Sequence, residues 1–265
     1  MQTLRLETVD HVAWVTLTSR TFVPALFAEL GETFRGLARD PELRAVVVGS
    51  DQKGFSFGLD LMAAFAEYGQ LFTGGQAAER QQLLALIRQW QDDLDAVARC
   101  PVPVIAAIHG WCIGAGLDLA SACDLRLAAA DARLSLRETR VAIVADLGSL
   151  QRLAGIVGRG HLAELAFTGK DVTAERALAM GLVNEVFADR DALLAGAGAL
   201  AAEIAANSPL VVRGVKEMLR AGQGHAVADG LRYVAAWNSA FLASEDLGEA
   251  LQSFLEKRPP AYKGR

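Results

Sequence analysis

The chain is short of the residues that mark disulfide-bonded, metal-bound and nucleic-acid-bound proteins. It has three cysteines in 265 residues, Cys100, Cys112 and Cys123. Their number is odd and their spacing matches no metal-ligand set, so reduced thiols are expected and no metal site. There are four histidines, His11, His109, His161 and His225, and none stands in a triad pattern with a nucleophile. Basic residues do not dominate: 26 Lys and Arg face 31 Asp and Glu, a formal net charge of −5. That balance gives no general attraction to nucleic acid or to acidic membranes. No uncharged apolar run reaches the ~18–20 residues of a membrane span. The first residues, MQTLRLETVDHVAWVTL, lack the apolar core of a secretion signal and the Arg/Ser richness of a transit peptide. The last four, YKGR, are not a peroxisomal address. Together these absences predict a cytoplasmic protein with neither a membrane nor a nucleic-acid partner. No Gly-Lys-Ser/Thr follows a glycine loop, and Gly114-Ala-Gly116 lacks the rest of a dinucleotide fingerprint.

What the chain has is apolar residues, 52% of the total with mean hydropathy +0.24. At this length it can bury a full core, as one large domain or two small ones. Leu4 to Leu17 reads as two short strands around Val9-Asp10-His11. Pro24 to Arg39 carries a helical stripe of Leu26, Phe27, Leu30, Phe34 and Leu37, stopped by Asp40-Pro41. Arg44 to Gly49 is a buried strand, most simply parallel because a helix precedes it. A helix starts at Leu61, and Glu67 to Gly75 reads as less regular. Ala77 to Arg99 is a long helix with Leu83, Leu84, Ile87, Trp90, Leu94 and Val97 on one side. Val104 to Ile108 is a second buried strand, and Leu125–Ala128 and Arg133–Ser135 are short ones. From Leu147 onward the pattern is mainly helical, with Gly155, Gly158, Gly169 and Gly181 at stops. Pro209 to Leu219 and His225 to Leu255 form a helical tail. There is no strict repeat, only a recurring strand–turn–helix unit.

The organising stretch runs from Gly110 to Leu153. It sets three carboxylates, Asp118, Glu138 and Asp146, among small and apolar residues. A desolvated carboxylate costs several kcal/mol unless it is paired or protonated. Singly, each has a structural reading. Asp118 suits a helix start, Asp146 suits the N-cap of a helix from Ser149, and Glu138 beside Arg137 and Arg140 suits a surface ion pair. Three together beside a glycine-rich turn point to proton transfer. Asp60 and Asp124 read as structural, and Trp111 and Trp237 as packing residues. Lys216, Lys257 and Arg258 read as solvated basic surface or, failing that, as phosphate contacts.

Twice a buried strand runs into a glycine turn and then a helix, at Phe55–Leu61 and Ile113–Leu119. Helix N-termini offer unpaired backbone N–H groups. Two aimed at one point form an oxyanion hole, each donor contributing ~3–4 kcal/mol.

These segments resemble the crotonase (enoyl-CoA hydratase/isomerase) family. FSFGLDL is similar to one family signature and GWCIGAGLDLASACDLRLA to a second. RETRVAIVADLGSLQRL, ELAFTGKDVTAERALAMGLVNEV, VVRGVKEML and FLEKRPPAYKGR follow in family order. The resemblance implies an α/β crotonase (ClpP-like) fold of stacked ββα units, with a core over 1–199 and a helical oligomerisation region over 200–265. It implies a homotrimer or a hexamer built as a dimer of trimers, to which the apolar tail residues Leu231, Val234, Trp237, Phe241 and Leu242 would contribute. It implies an acyl-CoA thioester as substrate and no separate cofactor. The thioester oxygen would be held by the N–H groups of Leu59 and Ala115, with Phe57, Gly58 and Gly114 lining the substrate site.

The acids choose among reactions. Asp118 and Glu138 fall where family hydratases carry two glutamates. Asp118 is one methylene shorter, ~1.5 Å, and a catalytic group misplaced by about 1 Å can cost ~10²-fold. Asp146 falls where hydratases usually have glycine. The trio is similar instead to that of the dienoyl-CoA isomerases, which implies Glu138 as base, Asp146 as acid and Asp118 tuning both. Like charges push carboxyl pKa values apart, as such a pair needs. An enoyl-CoA hydratase is the alternative, and a non-catalytic or RNA-binding relative is a further one. The segment Thr18–Pro24 is shorter than the family's CoA-contacting counterpart.

Overall fold

In the computed structural model, which describes residues 2–222, 227–242 and 244–265, His225 falls outside the described residues. The chain opens with β1 (Leu4–Val9) and β2 (Val12–Leu17), an antiparallel hairpin. Its two turn residues, Asp10 and His11, take φ of 48° and 67°. Two left-handed residues give the turn whose twist matches paired strands. Then come α1 (Pro24–Leu37), β3 (Ala45–Ser50), α2 (Leu61–Thr73), α3 (Ala77–Ala98), β4 (Val104–Ile108), β5 (Trp111–Ile113) and α4 (Ala115–Ala122). They are followed by β6 (Leu125–Ala129), β7 (Arg133–Ser135), a 3-10 turn (Glu138–Val141), α5 (Ser149–Ile156), α6 (Gly158–Thr168), β8 (Val172–Thr173), α7 (Ala174–Ala179) and β9 (Glu185–Phe187). The chain finishes with α8 (Arg190–Ala205), α9 (Pro209–Ala221), α10 (Val227–Phe241) and α11 (Glu245–Glu256).

The main sheet has the order β1-β2-β3-β4-β6-β9, and every pairing after the first hairpin is parallel. Both faces are covered, so alternate residues of β3 serve two cores. Val46 and Val48 join Phe22, Phe27, Phe34, Leu94 and Leu117 on one face. Ala45 and Val47 join Leu193, Ala197 and Ala201 of α8 on the other. This is why β3 and β4 read as unbroken apolar runs. A second sheet, β5-β7-β8, carries the strands that lead into the glycine turn at Gly114 and into Glu138.

The structure departs from the sequence reading in several places. Glu67–Thr73 is helical, because Tyr68 meets Trp90 edge-on at 5.9 Å and Phe72 packs on Phe65 at 5.2 Å. The buried side of α3 is Leu86, Trp90, Asp93, Leu94 and Val97, with Leu84 48% exposed. Its register is set by α1, where Phe27 stacks on Trp90 at 4.7 Å and Arg35 pairs with Asp93 at 2.8 Å. Among the described residues the tail is three helices rather than two. The expected division between residues 199 and 200 falls inside α8, whose Leu193, Ala197, Ala201 and Ala205 are buried on the sheet.

Asp60 and Asp124 are structural. Asp60 caps α2 by accepting from the Ala63 N–H at 2.9 Å. Asp124 accepts from the Val104 N–H at 2.8 Å and from Lys216 Nζ at 2.6 Å. Lys216 is therefore neither solvated surface nor a phosphate contact. It is buried and also donates to the Val102 carbonyl at 2.9 Å, latching α9 onto the start of β4. Lys257 caps the end of α11, and Arg258 pairs with Glu249 at 2.6 Å. Removing the buried Lys216 ammonium leaves the part-exposed Asp124 carboxylate and the Val102 carbonyl without their partner. Lys216→Ala should therefore destabilise the protein by about 2–4 kcal/mol in urea titration, and a change under ~0.5 kcal/mol would refute the latch.

Candidate active site

Both expected turns form, and they meet. Gly58 and Gly114 have φ of 85° and 52°, values that side-chain-bearing residues rarely adopt. A methyl group built on Gly114 would lie 3.9 Å from Gly58 Cα and 3.2 Å from Glu138 Oε1. A methyl on Gly58 would lie 3.1 Å from the Ile113 carbonyl oxygen. The two turns and the Glu138 carboxylate therefore occupy one small region that tolerates no extra carbon.

The backbone explains how two N–H groups are freed there. Around Leu59, the Gly58 carbonyl accepts from Phe22 N–H at 2.8 Å and the Asp60 N–H donates to the Phe22 carbonyl at 2.9 Å. In a parallel bridge of this kind the middle residue's N–H points the other way. Ala115 is the first residue of α4, so its N–H has no partner within the helix. Among the described residues, neither the Leu59 nor the Ala115 N–H is given to a protein acceptor. The ring of Phe57 lies under the Arg20 guanidinium, 4.1 Å from its centroid, so its side chain is occupied by Arg20.

The three acids come from three elements. Asp118 sits in α4, all of whose residues are buried, and is 1% exposed. Its Oδ1 accepts from the Ser149 N–H at 2.8 Å. Asp118 thus caps α5 across 31 residues of chain, while Asp146 does not cap it. Burial pushes the Asp118 carboxyl up to about 6, opposed by Ser149 and Arg152 and reinforced by Asp146. Glu138 opens the 3-10 turn after β7 and is not an ion-pair residue: its neighbour Arg137 pairs with Asp171 instead. Its Oε2 is buried without a hydrogen-bond partner. Burial, then the charges of Asp118 and Asp146, raise its pKa to about 7. Asp146 is exposed as a residue, yet partial burial of its carboxyl raises its pKa above the usual range. Asp118 and Asp146 both act electrostatically on Glu138, and Asp146 acts on Asp118.

Three residues that the sequence reading did not single out hold this arrangement. Ser149 donates to Asp118. Gln91 Nε2 of α3 donates to the Asp146 carbonyl at 2.6 Å. Arg152 folds back over Gly148 (φ 112°), donates to the Leu147 carbonyl at 3.1 Å and pairs with Asp95 of α3.

Comparison with known proteins establishes the family. The model of the enoyl-CoA hydratase/isomerase family matches residues 7–265. The chain belongs to that family. It is 45% identical over 231 residues to a mitochondrial Delta(3,5)-Delta(2,4)-dienoyl-CoA isomerase of Dictyostelium discoideum, covering 86% of this chain and 78% of that one. It is 39% identical to the peroxisomal counterpart of Arabidopsis thaliana, covering 89% and 85%. The crystal structure of an enoyl-CoA hydratase from Bacillus anthracis superposes with TM-score 0.90 at 31% identity, covering 100% of both chains. The crotonase fold expected from the signatures is thus the fold observed. The expectation of a cytoplasmic protein is overturned, because these dienoyl-CoA isomerases are named mitochondrial and peroxisomal.

The raised carboxyl groups of this family site make stability depend on pH. Glu138 holds its proton more tightly folded, near 7, than unfolded, near 4.5. Its contribution to stability is therefore full below about pH 4.5 and is lost as pH rises through 7. Glu138→Gln should exceed the wild type in stability at pH 8 by on the order of 1 kcal/mol and lose that advantage by about pH 4, measured by urea unfolding at both pH values. A variant less stable than wild type at pH 8 would contradict the burial assigned to Glu138.

Proposed function

We infer that the protein is a dienoyl-CoA isomerase that converts 3,5-dienoyl-CoA into 2,4-dienoyl-CoA in fatty-acid β-oxidation. The observation that carries this reading is the third acid, Asp146, coupled electrostatically to Glu138 and Asp118. The 39–45% identity to enzymes of that name supports it.

The chemistry is a proton taken from carbon 2 and a proton returned at carbon 6. Glu138 removes the first, and the electron pair spreads onto the thioester oxygen and along the diene. The N–H groups of Leu59 and Ala115 would hold that oxygen, whose charge grows as the enolate forms. The conjugated anion carries density to carbon 6, where Asp146 delivers a proton. Bonds to hydrogen balance, so the reaction calls for no metal or redox partner, and CoA enters as part of the substrate. A base works best with its pKa near the operating pH, and Glu138 at about 7 meets that condition. Asp118 contributes through its charge, which raises Glu138. Gly58 and Gly114 let the backbone approach the thioester closely.

The hydratase alternative gathers its acids around one water at carbons 2 and 3 and has no use for a remote acid. The binding-protein alternative sits poorly with a net charge of −5 and three intact acids. Asp146→Asn and Glu138→Gln should each slow isomerisation of 3,5-dienoyl-CoA by at least ~10²-fold. The assay is the ultraviolet absorbance of the 2,4-dienoyl thioester, run beside hydration of crotonyl-CoA. A wild type that hydrates crotonyl-CoA efficiently, ignores the diene and tolerates Asp146→Asn would replace this reading with the hydratase.

We also propose that the protein works as a homotrimer or a pair of trimers. Val211, Val215, Leu219, Leu231, Leu251, Phe254 and Leu255 are exposed along α9, α10 and α11. A monomer rarely leaves so many large apolar side chains in water on neighbouring elements of the chain. Trp237 packs on Gly214 and Phe241, which joins α10 to α9 within the subunit. Light scattering at micromolar concentration should give three or six subunit masses, and a stable monomer would overturn the assembly.

A further inference from the structure

The catalytic turn between Asp146 and Ser149 is held from outside the site by one face of α3. Gln91 and Asp95 are one helical turn apart on that face. Gln91 takes the Asp146 carbonyl at 2.6 Å. Asp95 takes the guanidinium of Arg152, which in turn takes the Leu147 carbonyl at 3.1 Å. Arg152 is only 19% exposed in its side chain and lies so close over Gly148 that a methyl there would sit 2.2 Å from Nη1. The guanidinium thus covers the peptide whose next N–H, that of Ser149, binds Asp118. The brace is rigid: α3 is anchored by Leu86, Trp90, Leu94 and Val97 in the core and by Asp93 on Arg35. Asp95 is further fixed by Arg99 at 3.1 Å, and Arg99 by Asp92 at 3.0 Å.

We propose that Arg152, held by Asp95 of α3, is a positioning residue of the isomerase site, fixing the turn that carries Asp146 and presents the Ser149 N–H to Asp118. The proposal rests on the isomerase reading for its kinetic part. Arg152 needs no contact with substrate to act. A buried carboxylate beside a second one favours its neutral form, and the Ser149 N–H is one hydrogen bond against that cost. The positive charge of Arg152 acts in the same direction as Ser149, which opposes the cost more strongly. The charged and titratable groups that act on Asp118 are Arg152 of α5 and Asp146 ahead of it. Its own charge is felt by Glu138 from the 3-10 turn and by the buried thiol of Cys112 in β5. Without Arg152, Asp118 would take up a proton at a higher pH. Glu138 would then lose the neighbouring negative charge that makes it a strong base. The isomerisation would slow, and its acid limb would move to lower pH.

The test uses the full chain with Arg152→Gln, Arg152→Lys and Asp95→Asn. In Arg152→Gln, kcat for 3,5-dienoyl-CoA should fall about 10–100-fold while KM changes less than about threefold, the pattern of a lost orienting interaction. The acid limb of kcat should shift to lower pH. Arg152→Lys should restore at least part of kcat and the position of the limb. Asp95→Asn should reduce kcat several-fold in the same direction. Carboxyl titration of 13C-labelled, substrate-free protein, with Asp118→Asn to assign the signal, should show Asp118 protonating at higher pH in Arg152→Gln. A folded Arg152→Gln protein with kcat within about twofold of wild type, or with Asp118 titrating as in wild type, would overturn the proposal. An effect confined to KM would do the same. Should Arg152→Gln fail to fold, Asp95→Asn, which alters a half-exposed carboxylate, decides by the same readouts. If the wild type leaves the diene untouched, the isomerase reading fails, and the substrate-free titration still judges Arg152.

Discussion

The hydrogen bond from the Ser149 N–H to Asp118 is the contact on which the site depends. It joins α4, whose N-terminus faces the glycine turn, to the N-terminus of α5. A carboxylate 1% exposed needs compensation, and the positive end of a helix is one of the few that require no second side chain. By accepting it, Asp118 fixes where α5 begins. That sets Gly148 in its left-handed conformation and points the preceding residue pair, Asp146 and Leu147, toward α3. The geometry of the third acid follows from how the first is satisfied.

The same burial separates the roles of the acids. Asp118 has a hydrogen bond and a nearby guanidinium, and its pKa rises only to about 6. Glu138 has Oε2 buried without a partner and two acidic neighbours, and its pKa rises to about 7. An ordinary fold would not leave such a carboxylate uncompensated; here the destabilisation suits it to the proposed role of base near neutral pH. Packing at Gly114 permits this, because a β-carbon there would crowd Glu138 Oε1 at 3.2 Å.

Much of this was legible in the sequence, for reasons that are local. The turns show as glycines between an apolar run and a helical stripe, and the pattern implies free backbone donors there; that the donors are Leu59 and Ala115 is what the resemblance to the crotonase signatures implies. Asp118, Glu138 and Asp146 stand out because their neighbours are small or apolar. What escaped was long-range. Asp118 begins its own helix in sequence, yet caps one that starts 31 residues on. Lys216 reads as surface because its partners, Asp124 and Val102, are 92 and 114 residues away. Leu84 lies in an apolar run but falls ahead of the point where α3 meets α1, so it faces solvent. Phe57 sits in a signature segment whose backbone matters there, and its ring is taken by Arg20. The tail's period predicted helix correctly and could not show where one helix ends and the next begins.

The contrast in exposure between Asp146 and Glu138 bears on how the proposed cycle closes. One turnover leaves Glu138 protonated and Asp146 ionised, so Glu138 must lose a proton and Asp146 regain one before the next. Asp146 is exposed and can reload from water. Glu138 is half-buried against Gly114, and its proton leaves more readily once Asp146 has regained its own, because a negative charge at Asp146 raises Glu138. Reprotonation of the acid therefore helps to deprotonate the base. Asp118 remains the constant member of the trio, held by Ser149 while the other two change charge. Coupling of this kind needs the acids near enough to act on one another and differently exposed to water. The exposed loop after the 3-10 turn and the buried helix α4 supply that difference.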